Sequence, residues 1–305
     1  VAKLRRLGDG ALLPLAARSL VGRSPTCTLR LDDRFVSSEH AKLQWVGGAW
    51  KIRDLGSRNG TFVDGVRVEP GVMVPLAAGN RIGFGDERPN YELVDAHAPG
   101  ALATDLERGT ILAAVGEVLV LPDDERPELT VYPAIHGGWV AEDAEGETRP
   151  VADQGVLVVG GRSFRLDLPV LSEATPMLDV ALTLGNVAFK LGVSSDEETV
   201  LIAVHLRGQE VARLEPREHA YMLLTLARAR EEDRALPADA RGWRDVDRLL
   251  KMLRMDNNAL NVSIHRARQQ LAATGLEGAA GIVETRRGQR RLGSDRFEIV
   301  RLEDL

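Results

Sequence analysis

Between positions 20 and 85, three short clusters bring together groups suited to an anion: Gly22-Arg23, Ser37-Ser38-Glu39-His40 and Ser57-Arg58-Asn59-Gly60-Thr61. They offer two guanidiniums, several hydroxyls and one amide, with no paired general acid and base. Charge-assisted N–H and O–H donors of this kind hold a phosphate in place; they do not break a bond. His40 invites a catalytic role, but no nucleophile with a matched base accompanies it. The catalytic set is therefore empty and the chain is not expected to be an enzyme.

The elements that must position these clusters are short β-like runs. Residues 1–96 are cut every few positions by Gly, Asp, Asn and Pro, the pattern of an all-β sandwich. The clusters fall on loops between the runs, and His97-Ala98-Pro99-Gly100 reads as a linker. In order and spacing the clusters resemble a forkhead-associated (FHA) domain, a phosphothreonine-reading β-sandwich, over residues 2–96. The resemblance implies Arg23 as the main anion ligand, Ser37 as hydroxyl donor to a phosphate oxygen, and Ser38 as a second contact by hydroxyl or backbone. It implies Arg58 as a second cation and Asn59 as the holder of the bound peptide's backbone. Gly22, His40, Gly60 and Thr61 are then structural, shaping the loops. It further implies a phosphothreonine-containing partner, either another protein or a phosphorylated segment of this chain, and a Ser/Thr protein kinase upstream.

Residues 101–172 are again β-like, at 111–121, 129–132, 138–141 and 156–168, with turns at Pro122-Asp123-Asp124 and His136-Gly137-Gly138. They lack the three clusters. This stretch is either a β-rich spacer or a degenerate FHA-like sandwich. Residues 169–176 read as a second linker.

From residue 178 four strands are expected, at 180–184, 187–191, 200–205 and 210–214. Then the period lengthens. Pro216 suits a helix's first turn. Ala220, Leu223, Leu224 and Ala227 mark one helix, and Val246, Leu249, Leu250 and Leu253 a second. Leu260, Ile264, Ala267 and Leu271 mark a third. Runs 282–284 and 297–300 bracket a turn-rich stretch read as a hairpin. The order resembles the winged helix-turn-helix domain of OmpR/PhoB-type regulators over 178–305, without the receiver domain that normally precedes it. The carriers are Leu214-Glu215-Pro216-Arg217-Glu218, the run from Leu260 to Leu271, and the hairpin from Ile282 to Gly288.

Away from its apolar stripe, the third helix carries Asn258, Val262, His265, Arg266 and Gln269, flanked by Asn261 and Arg268. Amide and guanidinium groups read base edges in a major groove, and a branched apolar group can meet a thymine methyl. Arg286, Arg287, Arg290 and Arg291 cluster in the hairpin and suit phosphate contacts. Double-stranded DNA is thus a second expected partner. The fold class expected is multidomain and mainly β, with a C-terminal α+β domain.

The bulk chemistry sets limits. The net charge of −6 gives no global basic field, so any DNA surface must be local. The single cysteine, Cys27, cannot close an internal disulfide, which suits a reducing cytoplasm. Pro14 and Arg18 interrupt the apolar run near the start, which argues against a signal peptide, and the opening Val1 implies an initiator residue removed or outside the numbering. No run is long enough to span a bilayer. No cofactor or metal is expected: Asp123, Asp124 and Glu125 lack metal-loop spacing, and the remaining histidines are scattered. The rival reading is a phospho-dependent scaffold in kinase signalling whose winged helix is a protein-protein module.

Overall fold

The computed structural model describes residues 1–134, 137–170 and 181–305. The predicted turn at His136 and much of the predicted second linker lie outside these residues. The chain divides into two compact units. One comprises Val1–Ala113, Asp153–Gly155 and Arg165–Pro169; the other comprises Ala114–Ala152, Val156–Phe164 and Val170–Leu305.

The first unit contains the expected sandwich. Its strands are β1 (Lys3–Arg6), β2 (Leu12–Pro14), β3 (Arg18–Gly22), β4 (Leu29–Arg30), β5 (Ala41–Val46) and β6 (Ala49–Asp54). They continue as β7 (Thr61–Val63), β8 (Val66–Arg67), β9 (Met73–Leu76), β10 (Arg81–Phe84) and β11 (Tyr91–Asp95). Two sheets form, in the orders β2-β1-β11-β10-β7-β8 and β4-β3-β5-β6-β9. Side chains alternate across each strand. Along β6, Trp50, Ile52 and Asp54 point inward while Ala49, Lys51 and Arg53 are only half-buried. The inward set joins Leu4, Val21, Leu43, Ile82, Phe84 and Leu93 in one apolar core. Trp45 packs edge-to-face on Trp50, ring centroids 5.7 Å apart. Asp54 is the polar exception, buried at the end of its strand and aimed at the loop that follows.

The middle region continues with β12 (Leu102–Asp105), β13 (Ile111–Ala113), β14 (Leu119–Leu121), β15 (Leu129–Pro133), β16 (Trp139–Asp143), β17 (Thr148–Val151), β18 (Val156–Val159) and β19 (Arg162–Asp167). The sequence run 111–121 is thus two strands in different sheets. The break falls at Gly116, whose φ of 58° no extended strand holds. The sheet orders are β13-β12-β19-β18 and β14-β15-β16-β17. Strand for strand these repeat β2-β1-β11-β10 and β3-β5-β6-β9 of the first sandwich, without counterparts of β4, β7 and β8.

The C-terminal part comprises β20 (Val187–Val193), β21 (Val200–Leu206), β22 (Gln209–Leu214), α1 (Glu218–Glu232), β23 (Arg244–Asp245), α2 (Val246–Leu253), α3 (Asn257–Ala272), β24 (Val283–Arg286), β25 (Gln289–Leu292) and β26 (Phe297–Arg301). Three sequence expectations need correction. Of the strand expected at 180–184, residue 180 lies outside the description, and the rest contributes only an isolated bridge from Thr183 to Glu277. The fourth strand of that sheet is β26, which pairs parallel to β20 and does not close the hairpin. The hairpin is β24 with β25, and β25 also pairs with β23. Helix α1 starts two residues after Pro216, with Arg217 extended at its N-cap and no side-chain cap. The third helix is better capped: Asp256 accepts the Ala259 N–H at 2.8 Å. Among the described residues, no helix is long and apolar enough to cross a membrane.

Val118 and Val120 of the middle region share a hydrophobic cluster with Leu223, Leu260, Ile264, Ala267 and Leu271. The β14–β17 sheet and the three helices therefore belong to one core within the second unit.

Candidate functional site

All five residues expected to hold the phosphopeptide lie on two loops of the first sandwich, β4–β5 and β6–β7, and at the end of β3. The Arg23 backbone N–H donates to the Ser37 carbonyl at 3.0 Å, and that of Ser24 donates to Ser38 at 3.0 Å. The exit of β3 is thereby stitched to the Ser37-Ser38 loop. The approach is so close that a Cβ on Gly22 would sit 2.2 Å from the Ser38 carbonyl oxygen, so only glycine fits there. Arg23 is exposed, but its Nε donates to the Val36 carbonyl at 2.6 Å. This tether aims the terminal nitrogens outward, where they have no side-chain partner among the described residues.

The second loop is drawn in by Ser37, whose hydroxyl accepts the Arg58 N–H at 3.0 Å. The Asn59 amide donates to the Phe35 carbonyl at 2.8 Å. His40 fastens both loops from beneath. Its Nδ1 accepts the Ser37 N–H at 3.0 Å, and its Nε2 donates to the Gly60 carbonyl at 3.1 Å. One ring nitrogen accepting and the other donating describes a neutral imidazole. Burial holds its pKa below the ordinary value, outweighing the Gly60 bond and the nearby Asp54 charge. A fully buried, doubly satisfied imidazole is a brace. It is not a proton shuttle.

Asp54 was missed by the sequence reading. Its carboxylate accepts the Gly56 and Ser57 backbone N–H groups at 2.8 and 2.9 Å, and the Ser57 and Thr61 hydroxyls at 2.6 Å each. Burial acts to raise its pKa, but these four bonds outweigh it and hold the carboxyl below its usual range. The detectable signal was an aspartate three residues before a serine in a turn-rich stretch. The end of β3 and the two loops thus carry two guanidiniums, two hydroxyls and an amide on segments that are hydrogen-bonded to one another. This set can fix a dianionic group and the strand that carries it.

The α3 face meets a different fate. The sequence reading exposed it; the structure covers it with the β14–β17 sheet, within the same unit. His265 bonds to the Thr130 hydroxyl at 2.7 Å, and both are buried. The Gln269 amide donates to Asp124 at 3.0 Å, and that of Asn258 reaches the Glu125 carbonyl at 3.5 Å. Arg268, only 2% exposed, pairs with Glu142 at 2.9 Å and also donates to the Val283 carbonyl at 2.8 Å. Glu142 further accepts the Thr285 hydroxyl at 2.6 Å and the Tyr132 hydroxyl at 2.5 Å. Burial pushes the Glu142 carboxyl up, but Arg268 and these hydroxyls more than offset it and keep it ionised. Burial, reinforced by the Arg268 charge, pushes His265 down to about 3. Arg290 is also buried and reaches the Ala144 carbonyl. Asn261 is buried, Val262 half-buried, and only Arg266, Arg286 and Arg287 of the expected cations stay exposed. Arg286 and Arg291 lie over the ring of Trp243, 4.0 and 4.5 Å from its centroid. Glu142, Thr130 and Asp124 carried no local sequence signal for this contact, since their partners on α3 lie more than a hundred residues away.

Comparison with known proteins bears on the first site. The FHA domain family model matches residues 20–85, and the N-terminal sandwich is an FHA domain. The chain is 45% identical over 64 residues to the FHA domain-containing protein FhaB of Mycolicibacterium smegmatis, covering 21% of this chain and 41% of that protein. It is 39% identical over 67 residues to the glycogen accumulation regulator GarA of the same species, covering 22% and 40%. The chain thus spans less than half the length of the curated relatives it matches. A solved structure of Mycobacterium tuberculosis EmbR in complex with a low-affinity phosphopeptide is 30% identical, covers 32% of this chain and 25% of that one, and gives a TM-score of 0.28.

Proposed function

We propose that this chain is a non-catalytic, cytoplasmic reader of phosphothreonine in Ser/Thr-kinase signalling. Its FHA domain docks a phosphorylated segment, and its C-terminal part is a winged helix-turn-helix that binds duplex DNA. The observation carrying the first half is the pocket itself: Arg23 tethered to Val36, Ser37 linked to Arg58, and Asn59 held to Phe35, all braced by neutral His40. His40 is not available there as a general base, since both its ring nitrogens are engaged. The likeness to FhaB and GarA supports the same reading.

The second half is supported by element order. Three strands precede α1, a two-residue strand pairs with the hairpin, and α3 is followed by a short 3-10 helix (Ala279–Ile282) and then that hairpin. In this reading α3 enters the major groove and the β24–β25 hairpin lies on the adjacent minor groove or backbone, with the exposed Arg266, Arg286 and Arg287 on phosphates. One observation favours a rival: α3's polar face already meets protein, as a scaffold whose winged helix is a protein-protein module requires.

The test has two arms on the full chain. A phosphothreonine peptide pool is compared with its unphosphorylated twin by calorimetry; equal heats remove the first half. A labelled duplex is titrated at several salt concentrations with wild-type chain and with R266A/R287A. Affinity falling steeply with salt, and further on substitution, supports DNA; a flat response supports the scaffold.

A further inference from the structure

We infer that the β14–β17 sheet is a built-in cover for α3 and the hairpin, a protein surrogate that occupies the DNA-reading face until it is displaced. The inference rests on the winged-helix reading above. Three of the five residues expected to face DNA at helical spacing are engaged by this sheet and the loop after β14. Asn258, His265 and Gln269 meet Glu125, Thr130 and Asp124, and on the flank Arg268 meets Glu142. The chemistry offered by the sheet is that of a nucleic acid: carboxylates for the guanidinium and the amide, a hydroxyl for the imidazole, and a backbone carbonyl from Ala144 for Arg290.

The strand order sharpens this point. Sheet β14-β15-β16-β17 takes the places of β3-β5-β6-β9 in the FHA domain. In the FHA domain the segment after β3 begins with Arg23 and leads to Ser37. In the middle region the segment after β14 carries Asp123, Asp124 and Glu125, an anionic edge, and it receives side chains of α3.

Two further features suit a cover that lifts. The closed face leaves Arg268 Nε and Arg290 Nε buried without partners, so these guanidiniums are incompletely satisfied by the sheet. The β16–β17 loop meets the hairpin at the Ala144 carbonyl, which Arg290 reaches, and at Gly146, whose φ is 87° and where a Cβ would lie 2.6 Å from the Thr285 hydroxyl and 2.9 Å from its backbone carbon. A side chain at this position wedges the loop away without altering either charge or the α3 face; asparagine tolerates the positive φ.

The experiment uses the full chain and a fluorescein-labelled random-sequence duplex of about thirty base pairs at low salt, read by anisotropy. Wild type is compared with G146N and with E142Q, which removes the charge partner of Arg268. A C27S/D124C/Q269C chain is measured before and after bridging its two cysteines with a short bismaleimide. The expected result is at least tenfold tighter binding for G146N and E142Q than for wild type, and at least tenfold loss in the three-substitution chain on bridging. Equal affinity for wild type and G146N, or no change on bridging, overturns the cover. The bridging arm stands even where a wedge variant fails to fold. Absence of DNA binding in every variant, while diethyl pyrocarbonate reaches His265 in G146N and not in wild type, sinks the DNA reading and leaves the cover intact.

Discussion

Replacing Arg23 by alanine tests the phosphate pocket most directly. Its guanidinium is exposed, so a full interior Coulomb energy does not apply; the relevant quantity is one hydrogen bond between charged groups, about 1.5–3 kcal/mol. At about 1.4 kcal/mol per tenfold, this corresponds to roughly 10- to 150-fold weaker binding. R23K separates charge from geometry. It keeps the cation but loses the Nε–H bond to Val36, so the charge is no longer aimed. It should fall between wild type and R23A, about three- to tenfold weak. R58A should be mildest, because the arginine contributes to the frame through its backbone N–H to Ser37 and its side chain is an exposed surface charge. The assay is anisotropy of a fluorescein-labelled peptide pool with a fixed central phosphothreonine and randomised flanks, beside the same pool unphosphorylated. Raising salt should narrow the gap between wild type and R23A, since the Debye length shrinks from about 8 Å to about 3 Å between 0.15 and 1 M. Should R23A bind within twofold of wild type, or both pools bind alike, the pocket does not recognise phosphate.

H40A leaves the Ser37 N–H and the Gly60 carbonyl without partners, at about 1–3 kcal/mol each, and should lower the urea midpoint of the N-terminal sandwich followed by Trp50 fluorescence; an unchanged midpoint contradicts the brace. G22A places a methyl against the Ser38 carbonyl and should cost about 1–3 kcal/mol by overpacking while also weakening phosphopeptide binding; retention of full affinity refutes the tight fit. Acid should open the α3 face. His265 is held neutral in the closed form by burial, reinforced by Arg268, with Thr130 at its ring and Glu142 beyond. An exposed imidazole titrates near 6.5, so below about pH 6.5 the open form binds more protons and the closed form loses about 1.4 kcal/mol per pH unit until about pH 3. Glu142, kept ionised in the closed form, adds a loss of the same sign as pH falls through its own range. Amide hydrogen exchange in α3, corrected for the intrinsic rate, should therefore rise between pH 7 and pH 5; a flat or falling profile contradicts it.

The loop positions were legible because the FHA motifs are local in sequence. Arg23, Ser37 and Asn59 were grouped by that resemblance, and they lie at the end of β3 and on the β4–β5 and β6–β7 loops. Asp54 was not, because a lone acid ending a strand looks like solvent-facing charge until its four donors are seen. The α3 apolar stripe was correct: Leu260, Ile264, Ala267 and Leu271 are all buried. Periodicity, however, reports only how a helix faces its own core. It says nothing of what lies over the other side, and the Thr130–His265 bond joins residues 135 apart in sequence. The run 111–121 read as one strand because composition does not record that Gly116 turns the chain. The α1 start slipped because Pro216 fits a first helical turn equally well as the residue before an extended N-cap.

The four bonds to Asp54 also bear on how partners are chosen. They fix the turn carrying Asn59 through the Ser57 and Thr61 hydroxyls. On the proposed phosphopeptide reading, the ordering entropy of binding would fall mainly on the peptide, and peptides would differ more in how long each stays than in how fast it arrives.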